Sequence, residues 1–184
     1  MAATFSVGND SKGFKDGPAT LADVSAEERI QRLERSVNQL ILEIERLPAD
    51  VLYRAPSEGE WPVMSTLAHL AELMPYWAHQ ATGIAARPDE PFGRTHDDPD
   101  RIGAVRDHGQ DSLDTAVGRI RTSLAECVRL LRALPAEAWS SSGLHPTRGP
   151  MTIEQLVDAF LVNHADEHAV QIQASVKSLA GARN

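Results

Sequence analysis

The sequence predicts an all-α protein: a four-helix bundle with a long connection between its second and third helices. Three observations lead there. Four long segments carry apolar residues at alternating spacings of three and four. Capping or breaking residues bound these segments, and no segment shows the period-two alternation of a half-buried strand. Four helices with one apolar stripe each can bury those stripes only against one another.

Residues 1–24 mix Gly, Ser, Asn, Asp and Lys without periodicity, which predicts a flexible arm or strap ahead of a bundle domain at 25–184. Ser25 and Glu28 then spell a capping box. The first stripe follows in Ile30, Leu33, Val37, Leu40, Ile41, Ile44 and Leu47, and Pro48 ends it. The second helix starts at Trp61-Pro62, where a proline lacking its N–H is tolerated. Val63, Leu67, Leu70, Met74 and Trp77 form its stripe to about Thr82, with Pro75 expected to kink the helix or end it early.

Residues 83–98 form a Pro-rich, acidic connection long enough to cross the bundle. Asp98-Pro99 has the form of an N-cap followed by a first-position proline. Gly103 and Gly109 weaken an early start, so the third helix begins somewhere between there and Ser112. Its stripe runs Leu113, Val117, Ile120, Leu124, Cys127, Leu131 and Leu134, and Pro135 stops it. Residues 136–150 read as a loop. Thr152 and Gln155 make a second capping box. Ile153, Leu156, Val157, Phe160, Leu161, His164, His168, Ile172 and Val176 share the face of the fourth helix.

The formal net charge of −8 and the scattered Lys and Arg argue against nucleic acid as a partner. No apolar run approaches the roughly 20 residues of a membrane span, and residues 1–24 hold no apolar signal core. A soluble, cytoplasmic protein is expected. The one cysteine, Cys127, excludes an internal disulfide and reads as a small core residue. Phosphate-binding loop, dinucleotide fingerprint and Gly-x-Ser-x-Gly elbow are all missing.

Chemistry concentrates in the fourth helix. Imidazoles four residues apart are separated by about 40° and roughly 6 Å of rise, so His164 and His168 can share a metal ion. His69, flanked by core positions of the second helix, supplies a third nitrogen. A lone histidine on an apolar face is more often a satisfied core residue. Three in one core would each need polar partners, and a shared metal satisfies all three. Three protein ligands with positions left open is the arrangement of catalytic rather than structural zinc, although imidazole also suits nickel, iron and copper.

His164-Ala-Asp-Glu-His168 also spells the inverted zinc-protease pattern, but no Asp or Glu follows His168 to complete such a site. Two carboxylates lie close enough to weigh as catalytic candidates. Glu72, one turn after His69, is a base or a ligand-orienting acceptor if it is not a surface acid. Glu167, about 100° from His168, is a ligand-orienting acceptor if it is not simply solvated. Asp166 reads as solvated, and His79, His96, His108 and His145 as surface residues, though a loop histidine could approach the metal. Trp61, Trp77 and Trp139 are expected to close the ends of the core.

The Trp61 lead-in, the Leu67-Ala68-His69-Leu70 run and the His164-x-x-x-His168 pair resemble the DinB/YfiT-like superfamily of candidate metalloenzymes over residues 30–176. The resemblance implies a four-helix bundle, often dimeric, with a three-histidine divalent metal site. It carries His69, His164 and His168 over as the ligands of that metal, zinc or nickel first. It implies a small-molecule substrate and either hydrolysis or the use of a low-molecular-weight thiol such as mycothiol or bacillithiol. The alternative is a non-catalytic stress-response or binding protein whose metal is structural.

Overall fold

The computed structural model describes residues 24–95 and 97–181. The expected arm, Val24 apart, lies outside the described residues, as does His96. The chain forms helices α1 (Ala26–Ile44), α2 (Ala49–Leu52), α3 (Val63–Ala86), α4 (Pro99–His108) and α5 (Leu113–Arg132). A 3-10 turn (Ala136–Ser140) and the strands β1 (Ser142–His145) and β2 (Gly149–Thr152) come next. The last helix is continuous in three parts: α6 (Ile153–Val157), a π-helical segment (Asp158–Val162) and α7 (Asn163–Gly181).

The bundle consists of α1, α3, α5 and this composite helix, which together bury one apolar core. Both capping boxes form, each with side chain to backbone bonds in the two directions. The first stripe is buried from Ile30 to Ile44, the third from Val117 to Leu131. Helix α3 departs from the expected single stripe. Every residue from Val63 to Ala71 is buried, because α5, α4 and the composite helix surround it. Pro75 does not end α3, which runs on to Ala86.

Both possible starts of the third helix are used, by two different helices. Asp98 caps α4 by accepting from the N–H groups of Asp100 and Arg101, and Ser112 caps α5 by accepting from Thr115. Gly109 ends α4, its N–H bonded to the Val105 carbonyl. No residue of α4 is fully buried, so this short helix lies on α3 rather than in the core.

The expected loop at 136–150 is instead a 3-10 turn and a hairpin, which corrects the strand-free reading. Gly143 pairs with Met151 and His145 with Gly149. Residues 89–92 run alongside β1, with backbone bonds from Asp89 to Ser142, Leu144 to Glu90 and Phe92 to Leu144. Gly143 permits this approach, since a Cβ there would lie 2.8 Å from the Phe92 ring. The strand escapes pattern reading because its inward residues are Gly143 and His145, while Leu144 is 45% exposed.

Candidate metal centre

Helix α3 presents His69 from the middle of its buried stretch, and α7 presents His164 and His168 from its first two turns. The π segment ends at Val162, immediately before α7. An arginine holds the segment in place from α1: Arg29, buried, donates Nε–H to Asp158 at 2.9 Å and also bonds the Val24 carbonyl.

The three imidazoles converge on their Nε2 atoms. His69 Nε2 lies 3.3 Å from His164 Nε2, and His168 Nε2 lies 3.0 Å from His164 Nε2. The donor atoms all fall within 4.8 Å of one another. Four-coordinate zinc, with bonds of about 2.0–2.1 Å, holds its nitrogens roughly 3.3 Å apart. No fourth His, Cys, Asp or Glu joins the group among the described residues.

Hydrogen bonding fixes the tautomer of one ring in this cluster. His168 Nδ1 lies 2.8 Å from Gln171 Oε1, an oxygen that can only accept, so Nδ1 carries the hydrogen. In the neutral ring, His168 Nε2 is then a lone pair aimed at His164. His69 Nδ1 is buried with no hydrogen-bond partner, whichever nitrogen of that ring is protonated. A second proton on a ring is opposed as well. Burial above all, and then the neighbouring imidazoles and Arg101, push His69 down to about 2. Burial and His164 bring His168 to about 4. Neutral imidazoles with converging lone pairs are the form that binds a divalent cation.

The ring edge of Trp61 covers His69 at a centroid separation of 5.5 Å, and the Arg101 guanidinium lies 5.6 Å from the Trp61 ring. His69 and His168 are buried, whereas the His164 side chain is 32% exposed, so the cluster opens on the His164 side.

The two candidate carboxylates have unlike places. Glu72 is clamped by Arg94 in a fork of two bonds, 2.7 and 2.6 Å long. Arg94 also bonds Asp98 and lies 3.8 Å from the Tyr76 ring centre. Glu72 is therefore part of a half-buried network joining α3 to the start of α4. Glu167 is 74% exposed, with its carboxylate 3.7 Å from His164 Nδ1. Asp166, expected in solvent, instead bonds Arg32 at 2.6 Å and Ser36 at 2.5 Å on α1.

Of the remaining histidines, His79 is exposed beside Glu126, and His108 pairs with Asp111. His145 corrects the surface reading. It is buried among Trp77, Phe92 and Phe160, with Nδ1 accepting from Thr147 and Nε2 unpartnered. It does not belong to the three-histidine group. Sequence reasoning missed Gln171 and Arg94. Gln171 had a signal, its spacing of three from His168. Arg94, in an irregular connection, had none.

The family model of the DinB superfamily matches residues 32–172. The chain belongs to the DinB superfamily. The match takes in all three histidines. Among solved structures, the DinB-like fold is shared with YfiT from Bacillus subtilis, described as a probable metal-dependent hydrolase with an unusual four-helix bundle topology. That likeness has a TM-score of 0.73 at 17% identity, over 91% of this chain and 94% of that one. A mycothiol-dependent maleylpyruvate isomerase superposes with a TM-score of 0.67 at 15% identity. The likeness takes in 84% of this chain but only 63% of the isomerase. TT2238, a four-helix bundle protein, gives 0.60 at 16% identity over 82% of this chain and 99% of its own. No protein of curated function matches in sequence. No helix among the described residues is long and apolar enough to cross a membrane.

Proposed function

We propose that this DinB-superfamily chain is a divalent-metal-dependent enzyme acting on a small molecule, with zinc or nickel held by the Nε2 atoms of His69, His164 and His168. One observation carries the reading: three imidazole nitrogens converge with spacings of 3.0 and 3.3 Å, and no fourth donor joins them among the described residues. A structural metal calls for a closed donor set, so the incomplete set favours catalysis over a non-catalytic binding protein.

When bound, the ion would supply Lewis acidity, turning water or a low-molecular-weight thiol into a nucleophile at neutral pH. The chain's own residues do the rest. His69 and His168, buried, keep water from the inner side of the site, and Trp61 covers the His69 ring. The His164 side admits the ligand. Glu167, close to His164 Nδ1, is the one candidate carboxylate left without a clamp. Water as the nucleophile gives hydrolysis. A thiol gives transfer or isomerisation through a thiol adduct.

Elemental analysis of untagged wild type and His164→Ala tests the site. The wild type should carry close to one equivalent of metal and the variant should lose it, and equal contents would discard the triad. Metal-loaded protein offered a thiol with candidate electrophiles, and separately esters and amides, distinguishes the two reactions. Ester or amide cleavage without thiol consumption would remove the thiol version.

A further inference from the structure

We propose that Gln171 is the positioning residue of the metal centre, fixing the tautomer and rotation of His168 so that its Nε2 lone pair faces the other two rings. The inference rests on the three-histidine reading and adds to it a residue acting through a ligand rather than as one.

An imidazole has two nitrogens, and only an unprotonated one can bind a metal. What the far nitrogen bonds to therefore selects the donor. The three rings differ at this second nitrogen. His69 Nδ1 is buried without a partner, and a Glu167 carboxylate oxygen lies 3.7 Å from His164 Nδ1. His168 Nδ1 makes a short bond, 2.8 Å to Gln171 Oε1. The acceptor sits one turn further along α7, so the helix itself sets the geometry. Gln171 is otherwise exposed, and its backbone carbonyl accepts from the Ser175 hydroxyl, which stiffens the same turn.

The identity of the acceptor matters as well as its position. A carboxylate bonded to a ligand's N–H draws the proton away from the ring and strengthens the ligand as a donor. A neutral amide orients the ring with less of this effect. Gln171 thus aligns His168 while leaving it a neutral imidazole, so a bound ion would keep more of its positive charge for its other ligands.

The test uses the full chain with Co²⁺ as the probe, read by its visible spectrum and by competition with a chromogenic chelator. Gln171→Leu should weaken Co²⁺ binding about 10- to 100-fold and alter the spectrum. Gln171→Glu should bind at least as tightly as wild type. An NMR measurement on the metal-free protein reads the tautomer directly: the His168 Nδ1–H signal should be present in wild type and lost in Gln171→Leu. Wild-type affinity and spectrum in Gln171→Leu, beside loss of metal in His164→Ala, would overturn the role of Gln171 alone. Equal weakening in the Leu and Glu variants would also overturn it, since that marks a general packing defect. Absence of Co²⁺ binding by wild type would overturn the metal reading and this one together.

Discussion

Cys127 has no exposed surface and lies on the inward stripe of α5. Burial, and to a lesser degree Glu126, pushes its thiol up to about 12. The reactive species is the thiolate, so the folded protein should hardly react with an aromatic disulfide reagent at pH 8. We expect the rate to rise at least about a hundredfold in denaturing urea. A fast reaction in the native state would place Cys127 at the surface. Glu72 and His145 show the converse limit of residue-level reading. Each looks like an accessible polar group in sequence. Arg94 occupies the first, and aromatic rings enclose the second. Both partners come from distant segments, so neither environment has a local signal.

Among the elements, the composite fourth helix matters most. A uniform 3.6-residue period places Phe160, Leu161, His164 and His168 on one inward face. The π segment adds backbone to the turn and shifts that register. Leu161, Val162, Ala165 and His168 become buried, while Phe160 and His164 sit half-exposed at the edge. That shift turns His164 from a core residue into the open side of the cluster. Deleting Ala159 should remove the extra residue and rotate α7 by about 100° relative to α6. The expected result is a protein with near-normal helical circular dichroism that no longer retains metal. Normal metal content would show that the π segment is not what orients the ligands.

For the whole molecule, the proposed metal joining α3 to α7 would couple binding to folding. Its ligands lie 95 residues apart in the chain, so they converge only in the native state. Free metal at about 100 times its dissociation constant should add about 2.7 kcal/mol of stability. For a chain of this size that raises the thermal midpoint by roughly 5–10 °C. The rise should be missing in His164→Ala. A midpoint indifferent to metal in wild type would mean that the ion binds the unfolded chain equally well, or not at this site.

Much of this protein was legible in its sequence. Periodicity and caps determine helices locally, and all four bundle helices, both capping boxes and the Asp98 cap follow from residues a few positions apart. The family was readable from Trp61, the run around His69 and the His164–His168 pair, and so were the three rings that come together. Tertiary structure decided the rest: the burial of α3 on all sides over residues 63–71, the separate α4, the hairpin that carries His145, the Arg94 clamp on Glu72 and the π segment. The physical reason is the same in each case. These features follow from how distant elements fill space and satisfy polar groups against one another, and a one-dimensional pattern records only the period of each element. The His164–His168 spacing makes a shared ligand geometry possible. Only the packing of α7 on α3 brings His69 to 3.3 Å and leaves one side open.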